Sequence, residues 1–415
     1  MVKYYSGNQP GNPIGLLDAQ YYWWESGAFF DTLIQYWHLT SDAQYNGIVT
    51  QGLLAQQGPD ADYMPPNQTK SEGNDDQLTW ALAAMSAAEL QLPETQNASW
   101  VALSETVFNE QVARWDDSSC SGGIRWQIFA FNTGYDYKNS ITQGDFFQLA
   151  ARLARYTGNT TYSDWASKAF NWTQTIGFID AQWNVYDGAH TETSCTDVNK
   201  VQFSYVAGTF ISGAAYMYNI TSGDAQTGWK GAIDGLLNNT VSIFFPNDIA
   251  TETACEPHDT CTIDMTAYKG LLAQQLVDTI QVAPYTANTI LPLITSSAKA
   301  AAQACTDTGC PLKWNTTASG NSSDSGVGTQ IDALSFVQGL LVGKGTSPAT
   351  SSSGGSNSTS TSGPGSTSTL ASTSSKTSGT GTPSATGNAG IAIRSGDLGM
   401  GMCLGLLGAM AWLML

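Results

Sequence analysis

Gly73-Asn74-Asp75-Asp76-Gln77-Leu78-Thr79-Trp80-Ala81-Leu82-Ala83-Ala84-Met85-Ser86-Ala87-Ala88-Glu89-Leu90 joins two adjacent carboxylates to a run that is apolar nearly all round. Such a run suits a helix buried in a large protein better than one on its surface. Asp75 and Asp76 therefore stand where a buried helix begins, and unpaired charge there is costly. Adjacent Cα atoms lie about 3.8 Å apart. Near a helix start two neighbouring side chains can converge on one cleft, with carboxyl groups about 5 Å apart, the separation of a retaining glycosidase. The local alternative is a helix cap, because Asn and Asp are good N-caps and acids favour the first turn.

Outward from this segment the pattern stays helical. Candidate helices cover roughly 16–39, 42–56, 75–91, 99–115, 141–157, 160–179, 201–219, 224–244, 263–281, 286–304 and 330–343. Alternating strand patterns of any length are absent. The fold class is therefore all-α.

The chain has 415 residues, 41% of them apolar, which is enough for one large domain and a tail. Charged residues make up only 12%, with 34 acidic against 16 basic, for a net charge of −18. That balance argues against a nucleic-acid partner, whose phosphates need an excess of cations to neutralise them. It suits solubility in an acidic extracellular wall. The 13 Trp and 17 Tyr serve a core and a sugar-binding cleft equally well.

Cys120, Cys195, Cys255, Cys261, Cys305 and Cys310 fall in the helical region, and Cys403 in the extreme C-terminal tail. Six is an even set, consistent with three disulfides in an oxidising compartment. Short loops suggest Cys255–Cys261 and Cys305–Cys310, leaving Cys120–Cys195, although sequence alone does not fix the connectivity. A zinc site is the rival reading. It lacks CxxC and HExxH spacings, and His38, His190 and His258 suggest neither a metal site nor a triad. No metal and no cofactor are expected. Sequons at Asn67, Asn97, Asn159, Asn171, Asn219, Asn238, Asn315, Asn321 and Asn357 favour the secretory route.

The two ends disagree. Met1-Val2-Lys3-Tyr4-Tyr5 lacks the apolar core of a signal peptide. Residues 345–387 form a Ser/Thr/Gly/Pro stretch, too poor in apolar groups to pack and suited to an extended O-glycosylated linker. Residues 388–415 then carry small residues at Asn388-Ala389-Gly390, a short spacer and a terminal hydrophobic run. That order matches a GPI-attachment signal with Asn388 as the site. A plain transmembrane helix is the alternative, but no basic residue follows the apolar run to hold a cytoplasmic end. An anchor signal without an entry signal leads us to expect a segment upstream of Met1.

The acid pair keeps company with Tyr21-Tyr22-Trp23-Trp24-Glu25, Gly122-Gly123-Ile124-Arg125-Trp126-Gln127, Tyr135-Asp136-Tyr137-Lys138-Asn139 and Val185-Tyr186-Asp187-Gly188. In order and approximate spacing these resemble the fungal branch of glycoside hydrolase family 76, from about Tyr4 to about Gly343. Its members are endo-1,6-α-mannanases, including GPI-anchored cell-wall enzymes of yeasts and moulds. The resemblance implies an (α/α)6 barrel over residues 1–344, one N-terminal helix short of a closed six-hairpin ring. Loops 58–74, 116–140 and 181–200 should then share one mouth. It also implies Asp75 as nucleophile and Asp76 as acid/base, an order that sequence physics does not supply. Asp187, Trp126, Tyr135, Lys138, Asn139 and Gln77 resemble substrate-binding positions. Asp187 read locally is equally an Asp-Gly turn, and Trp126 equally a core residue. Trp23 and Trp24 read mainly as packing.

Val206, Met265 and Gln274 depart from the family pattern and put specificity or efficiency in question. The expected activity is cleavage or transfer of α-1,6-mannosyl linkages outside the plasma membrane, on mannan or a GPI-protein glycan, with wall β-glucan as a candidate acceptor. The competing class is a non-catalytic GPI-anchored wall mannoprotein.

Overall fold

The computed structural model describes residues 1–95, 99–314 and 326–351. Asn388, Cys403, most of the 345–387 stretch and the sequons at Asn97, Asn315, Asn321 and Asn357 lie outside the described residues. No helix among the described residues is long and apolar enough to cross a membrane.

Eleven α-helices carry the fold: α1 Trp23–Thr40, α2 Asn46–Ala55, α3 Asn74–Glu89, α4 Trp100–Ala113, α5 Ser140–Thr157, α6 Thr160–Thr175, α7 Ser204–Ile220, α8 Gly223–Phe244, α9 Tyr268–Val282, α10 Ala287–Ala304 and α11 Val327–Gly339. The odd-numbered helices form an inner ring in which each packs on the next and α11 closes back on α1. The even-numbered helices lie outside it, as α4 does against α3 and α5. Inner helices are buried almost all round, α5 from Ser140 to Ala154 without a break. Their small residues permit this. A Cβ on Gly270 of α9 would lie 2.8 Å from the backbone of Asp332 in α11, so these two helices touch main chain to main chain.

The ring itself is therefore complete with six helices. At the end of α11, Val337 and Leu340 stand exposed. The largest difference from the expected boundaries is at α1. It begins at Trp23 instead of residue 16, because residues 6–22 are spent on turns rich in Gly, Pro and Asn. Helix α9 begins five residues later than expected, after a 3-10 turn over Asp264–Ala267.

Inner-helix N-termini point to one end of the barrel, where the long loops gather. Strand β1, Tyr137–Asn139, pairs antiparallel with β2, Gly188–His190. An isolated bridge joins Gly73 to Gln127. The Cys120–Cys195 disulfide ties the second loop to the third, and Cys255–Cys261 and Cys305–Cys310 close two local loops. The opposite end is crossed by the chain after α11. There Arg155 donates to the Pro348 and Ala349 carbonyls at 2.8 and 3.1 Å, and Ala349 donates to the Glu89 carbonyl at 2.7 Å.

Candidate active site

Asp75 and Asp76 occupy the first turn of α3, and both line a cavity of about 500 Å³ at the loop-bearing end of the ring. Their backbone is pinned from the side. The Asn74 amide donates to the Trp126 carbonyl at 2.8 Å, and Asn74 Nδ2 donates to the Arg125 carbonyl at 2.9 Å. Asp76 does cap the helix: its Oδ2 accepts the Gly73 amide at 2.6 Å. Asp75 Oδ1 accepts the Asp76 amide at 3.1 Å. A Cβ built on Gly73 would collide with Asp75 Oδ1 and approach both Asp76 Oδ2 and the Trp126 carbonyl to 3.2 Å. The absence of a side chain at Gly73 thus leaves room for both carboxyl groups to approach the same point of the backbone.

Burial raises the pKa of both carboxyls, and for Asp75 the nearby Asp76 and Asp145 charges raise it further. Backbone amides oppose the rise in each case. The two carboxyls thus titrate as a unit. Its surroundings are acidic throughout. Asp145 of α5, 4% exposed, accepts a bond from Thr209 at 2.9 Å, and burial pushes it up to about 7. Asp187 accepts Tyr137 OH at 2.7 Å and Asn199 at 3.0 Å, and desolvation raises its pKa. Tyr205 and Tyr268 stack with centroids 3.9 Å apart and form another wall. Deeper along the barrel axis Arg152 pairs with Glu89 at 2.8 Å, while burial pushes Asp31 to about 6 and Asp278 to about 7.

Trp126, Asn139 and Asp187 reach the cleft wall together with the acid pair. Three other expected residues do not. Gln77 is fully buried against the Asp62 carbonyl, Glu110, Gln111 and Arg114, because at one helical turn from Gly73 it faces α4. Lys138 is fully buried and donates to the carbonyls of Gly122, Ser119 and Asp116 at 2.6, 2.9 and 3.0 Å, with its ammonium 3.4 Å from the Asp116 carboxylate. It organises the loop behind the site. Tyr135 stacks on the Arg125 guanidinium at 4.7 Å and does not line the cleft.

Trp23 is a packing residue, stacked on Trp80 at 5.1 Å, but Trp24 lines the cleft. Sequence reasoning missed Asp31, Asp145, Tyr205 and Asp278. Their signal was available in part, since an aspartate inside an otherwise apolar helix, as in Phe29-Phe30-Asp31 and Leu276-Val277-Asp278, is costly unless it has work to do. Of the departures, Val206 is buried in the core. Gln274 lines the cleft and donates to Thr32 and Ser335 at 2.9 Å each, and Met265 sits in the turn before α9. His190 pairs with Asp136 on the surface at 2.8 Å. Among the described residues, no group of three or more His, Cys, Asp or Glu side chains is arranged to hold a metal ion.

So many buried carboxyls facing one cleft, with aromatic walls and a single arginine already paired, suit acid–base chemistry on a neutral, hydroxyl-rich substrate. The class so defined is a glycoside hydrolase. The profile of glycosyl hydrolase family 76 matches residues 1–352, and the chain belongs to that family. It is 39% identical over 363 residues to the mannan endo-1,6-alpha-mannosidase DFG5 of Saccharomyces cerevisiae, covering 86% of this chain and 78% of that one. It is 39% identical over 364 residues to the DCW1 enzyme of the same name and organism, covering 86% and 80%. The crystal structure of Dfg5 from Chaetomium thermophilum in complex with glucosamine is similar at a TM-score of 0.81 and 41% identity, covering 85% of this chain and 90% of that one. An inactive variant of the Salegentibacter α-1,6-mannanase, solved with α-1,6-mannotriose, shares the fold at a TM-score of 0.65 and 16% identity, over 79% and 94% of the two chains. The neighbours identify the helical ring as an (α/α)6 barrel.

Proposed function

We propose that this glycoside hydrolase is a retaining, endo-acting α-1,6-mannosidase that also transfers its glycosyl group to a second sugar. Asp75 is the nucleophile and Asp76 the acid/base. The observation that carries the reading is the placement of both carboxyls against Gly73 on one cleft wall. In the first step Asp75 attacks the anomeric carbon while Asp76 protonates the departing oxygen; in the second, water or a sugar hydroxyl releases the glycosyl-enzyme. The Gly73 amide stabilises charge on Asp76, and Asp145 disfavours it on Asp75, so the free cleft favours the opposite proton placement. Substrate binding must reverse it for this order of roles.

The setting we propose is the outer face of the plasma membrane and the cell wall, reached by the secretory route and held by a GPI anchor at Asn388. The substrate is α-1,6-mannan or the mannose-containing glycan of a GPI-protein, and wall β-glucan is the proposed acceptor in wall biogenesis. Incubation with α-1,6-mannan oligosaccharides, with and without a β-glucan oligosaccharide, tests the reading. The first product followed by NMR should be the α-anomer, and transfer products should grow with acceptor. A β-anomer as first product, or no cleavage, would overturn it.

A further inference from the structure

Asp145, in the second turn of α5, lines the cavity together with Asp75 and Asp76. Its Oδ1 lies 2.9 Å from Thr209 Oγ1 of α7, and the same hydroxyl lies 2.9 Å from Gln148 Oε1. Gln148 Nε2 is spent on Ser212 Oγ at 2.9 Å. A hydroxyl has one hydrogen to give and serves one acceptor at a time. With Asp145 protonated, its own hydrogen goes to the Thr209 oxygen and the Thr209 hydrogen to Gln148, so each buried group is paired. With Asp145 ionised, the Thr209 hydrogen is drawn to the carboxylate and Gln148 Oε1 loses its donor, which is costly for so buried a side chain. The arrangement therefore favours a proton on Asp145, and burial works in the same direction. The other carboxyl oxygen, Oδ2, has no hydrogen bond among the described residues and is not sealed by them, so it opens on the cavity.

Resting on the reading proposed above, we infer that Asp145 is a positioning residue for Asp75. While it holds its proton, Asp75 can carry the charge of an active pair; once it ionises, that charge is driven onto Asp76. The proposed first step needs a charged Asp75 and a protonated Asp76. The Gly73 amide already favours the reverse, and a further negative charge beside Asp75 adds to that bias. The charge of Asp145 bears on Asp75, whereas burial and the Gly73 amide govern Asp76. No neighbour offsets it. Across the cavity Asp145 faces Asp75 and Asp76 of α3, Tyr205 of α7, Tyr137 of β1 and Asp187, none of them a cation. Among the described residues Arg152, two turns further along α5, is the one cation lining the cavity, and it pairs with Glu89 at 2.8 Å. Charges on the other elements packed against α5 are committed elsewhere. Arg114 after α4 pairs with Glu110 at 2.8 Å, Glu105 of α4 accepts Tyr162 OH at 2.8 Å, Lys138 of β1 lies 3.4 Å from Asp116, and Lys168 of α6 lies over Trp165 at 4.2 Å. The alkaline limb of the pH–rate profile then belongs to Asp145, which burial brings to about 7.

The test is the pH dependence of kcat/KM on α-1,6-mannan oligosaccharides, for the protein and its Asp145→Asn and Thr209→Val variants. Asn keeps the shape of the side chain and is neutral at every pH. The alkaline limb therefore moves up by about one pH unit in Asp145→Asn, the scale of one nearby charge, and activity above the limb relative to activity below it rises about tenfold. Thr209→Val removes a hydrogen bond that favours the charged form of Asp145, so the limb moves the same way by less. A purely structural Asp145 predicts lower kcat/KM at every pH with the limb unmoved, and that outcome overturns the inference. Carboxyl-carbon NMR titration of the same proteins reads the coupling without turnover. Asp75 titrates at lower pH in Asp145→Asn, and an unmoved Asp75 overturns the inference whatever the rates. Cleavage with one alkaline limb in all three proteins would overturn the role of Asp145 and leave the glycosidase reading standing. A moved Asp75 titration with no cleavage by any of them would instead sink the glycosidase reading and leave only the coupling in place.

Discussion

Asp76 accepts the Gly73 amide at 2.6 Å while also lining the cleft, so one side chain both caps α3 and faces the cavity. Capping and exposure to the cleft, opposed in the sequence, coexist in the fold. They separate by substitution. On the proposed roles, Asp75→Asn removes the attacking charge and should abolish turnover on every substrate. Asp76→Asn spares activated aryl mannosides, which need no protonation, so that glycosyl-enzyme accumulates and azide speeds its breakdown. Either variant loses at most about 1 kcal/mol of stability, because Asn still caps. Steady-state and burst kinetics on aryl mannosides decide it, and azide rescue of Asp75→Asn would exchange the two roles.

Gly73 tests the geometry without touching a carboxyl. Its φ of −86° is open to any residue, so Gly73→Ala carries no conformational penalty. The added methyl nonetheless meets Asp75 Oδ1 and displaces the pair. A misplacement of about 1 Å at the reacting groups can cost about a hundredfold in rate. We expect Gly73→Ala to keep its melting temperature within a few degrees and lose kcat by about two orders of magnitude. Activity within threefold of the parent would show that the two carboxyls are not held by this contact.

The three disulfides should differ in weight. Cys120–Cys195 spans 75 residues and joins two of the loops at the mouth, whereas Cys255–Cys261 and Cys305–Cys310 span 6 and 5. Loop entropy assigns about 4 kcal/mol to the first and about 2 kcal/mol to each of the others. Replacing Cys120 and Cys195 by Ala should lower the denaturation midpoint about twice as far as replacing either short pair. It should also raise KM, because β1, β2 and Asp187 lose their brace. Equal midpoints across the three double variants would refute the ordering.

What the chain discloses unaided follows from where its free energy is concentrated. A helix such as α3 is apolar nearly all round, a pattern that a ring interior accommodates, and its limits are legible to within a few residues. Asp75 and Asp76 were legible because two charges at the head of such a helix need a reason. Lys138 and Gln77 misled for a physical cause: a lysine satisfied by three carbonyls and one reaching for a sugar have the same sequence signature. Asp145 and Asp278 gain their meaning only when the ring closes and brings α5 and α9 to one cleft. Glu72, one residue before Gly73, carries no local signal, since its peculiarity is the absence of hydrogen-bond partners among the described residues.

The acidic interior gives stability a definite pH dependence. Burial raises Asp31 to about 6, Asp145 and Asp278 to about 7 and Glu72 to about 9 in the folded protein. In the unfolded chain the same groups titrate near 4. Between about pH 4 and pH 7 the folded state therefore holds protons that the unfolded state has released, and stability falls as pH rises. Each group's contribution is whole below about pH 4 and is lost as pH passes through its folded value, with a slope of at most about 1.4 kcal/mol per pH unit. Thermal unfolding should give a higher melting temperature at pH 5 than at pH 8. Asp145→Asn, neutral at every pH, should narrow that gap chiefly by stabilising the protein at pH 8. A melting temperature that climbs from pH 5 to pH 8 would mean that these carboxyls are ionised in the fold and that the cleft is far wetter than its burial implies.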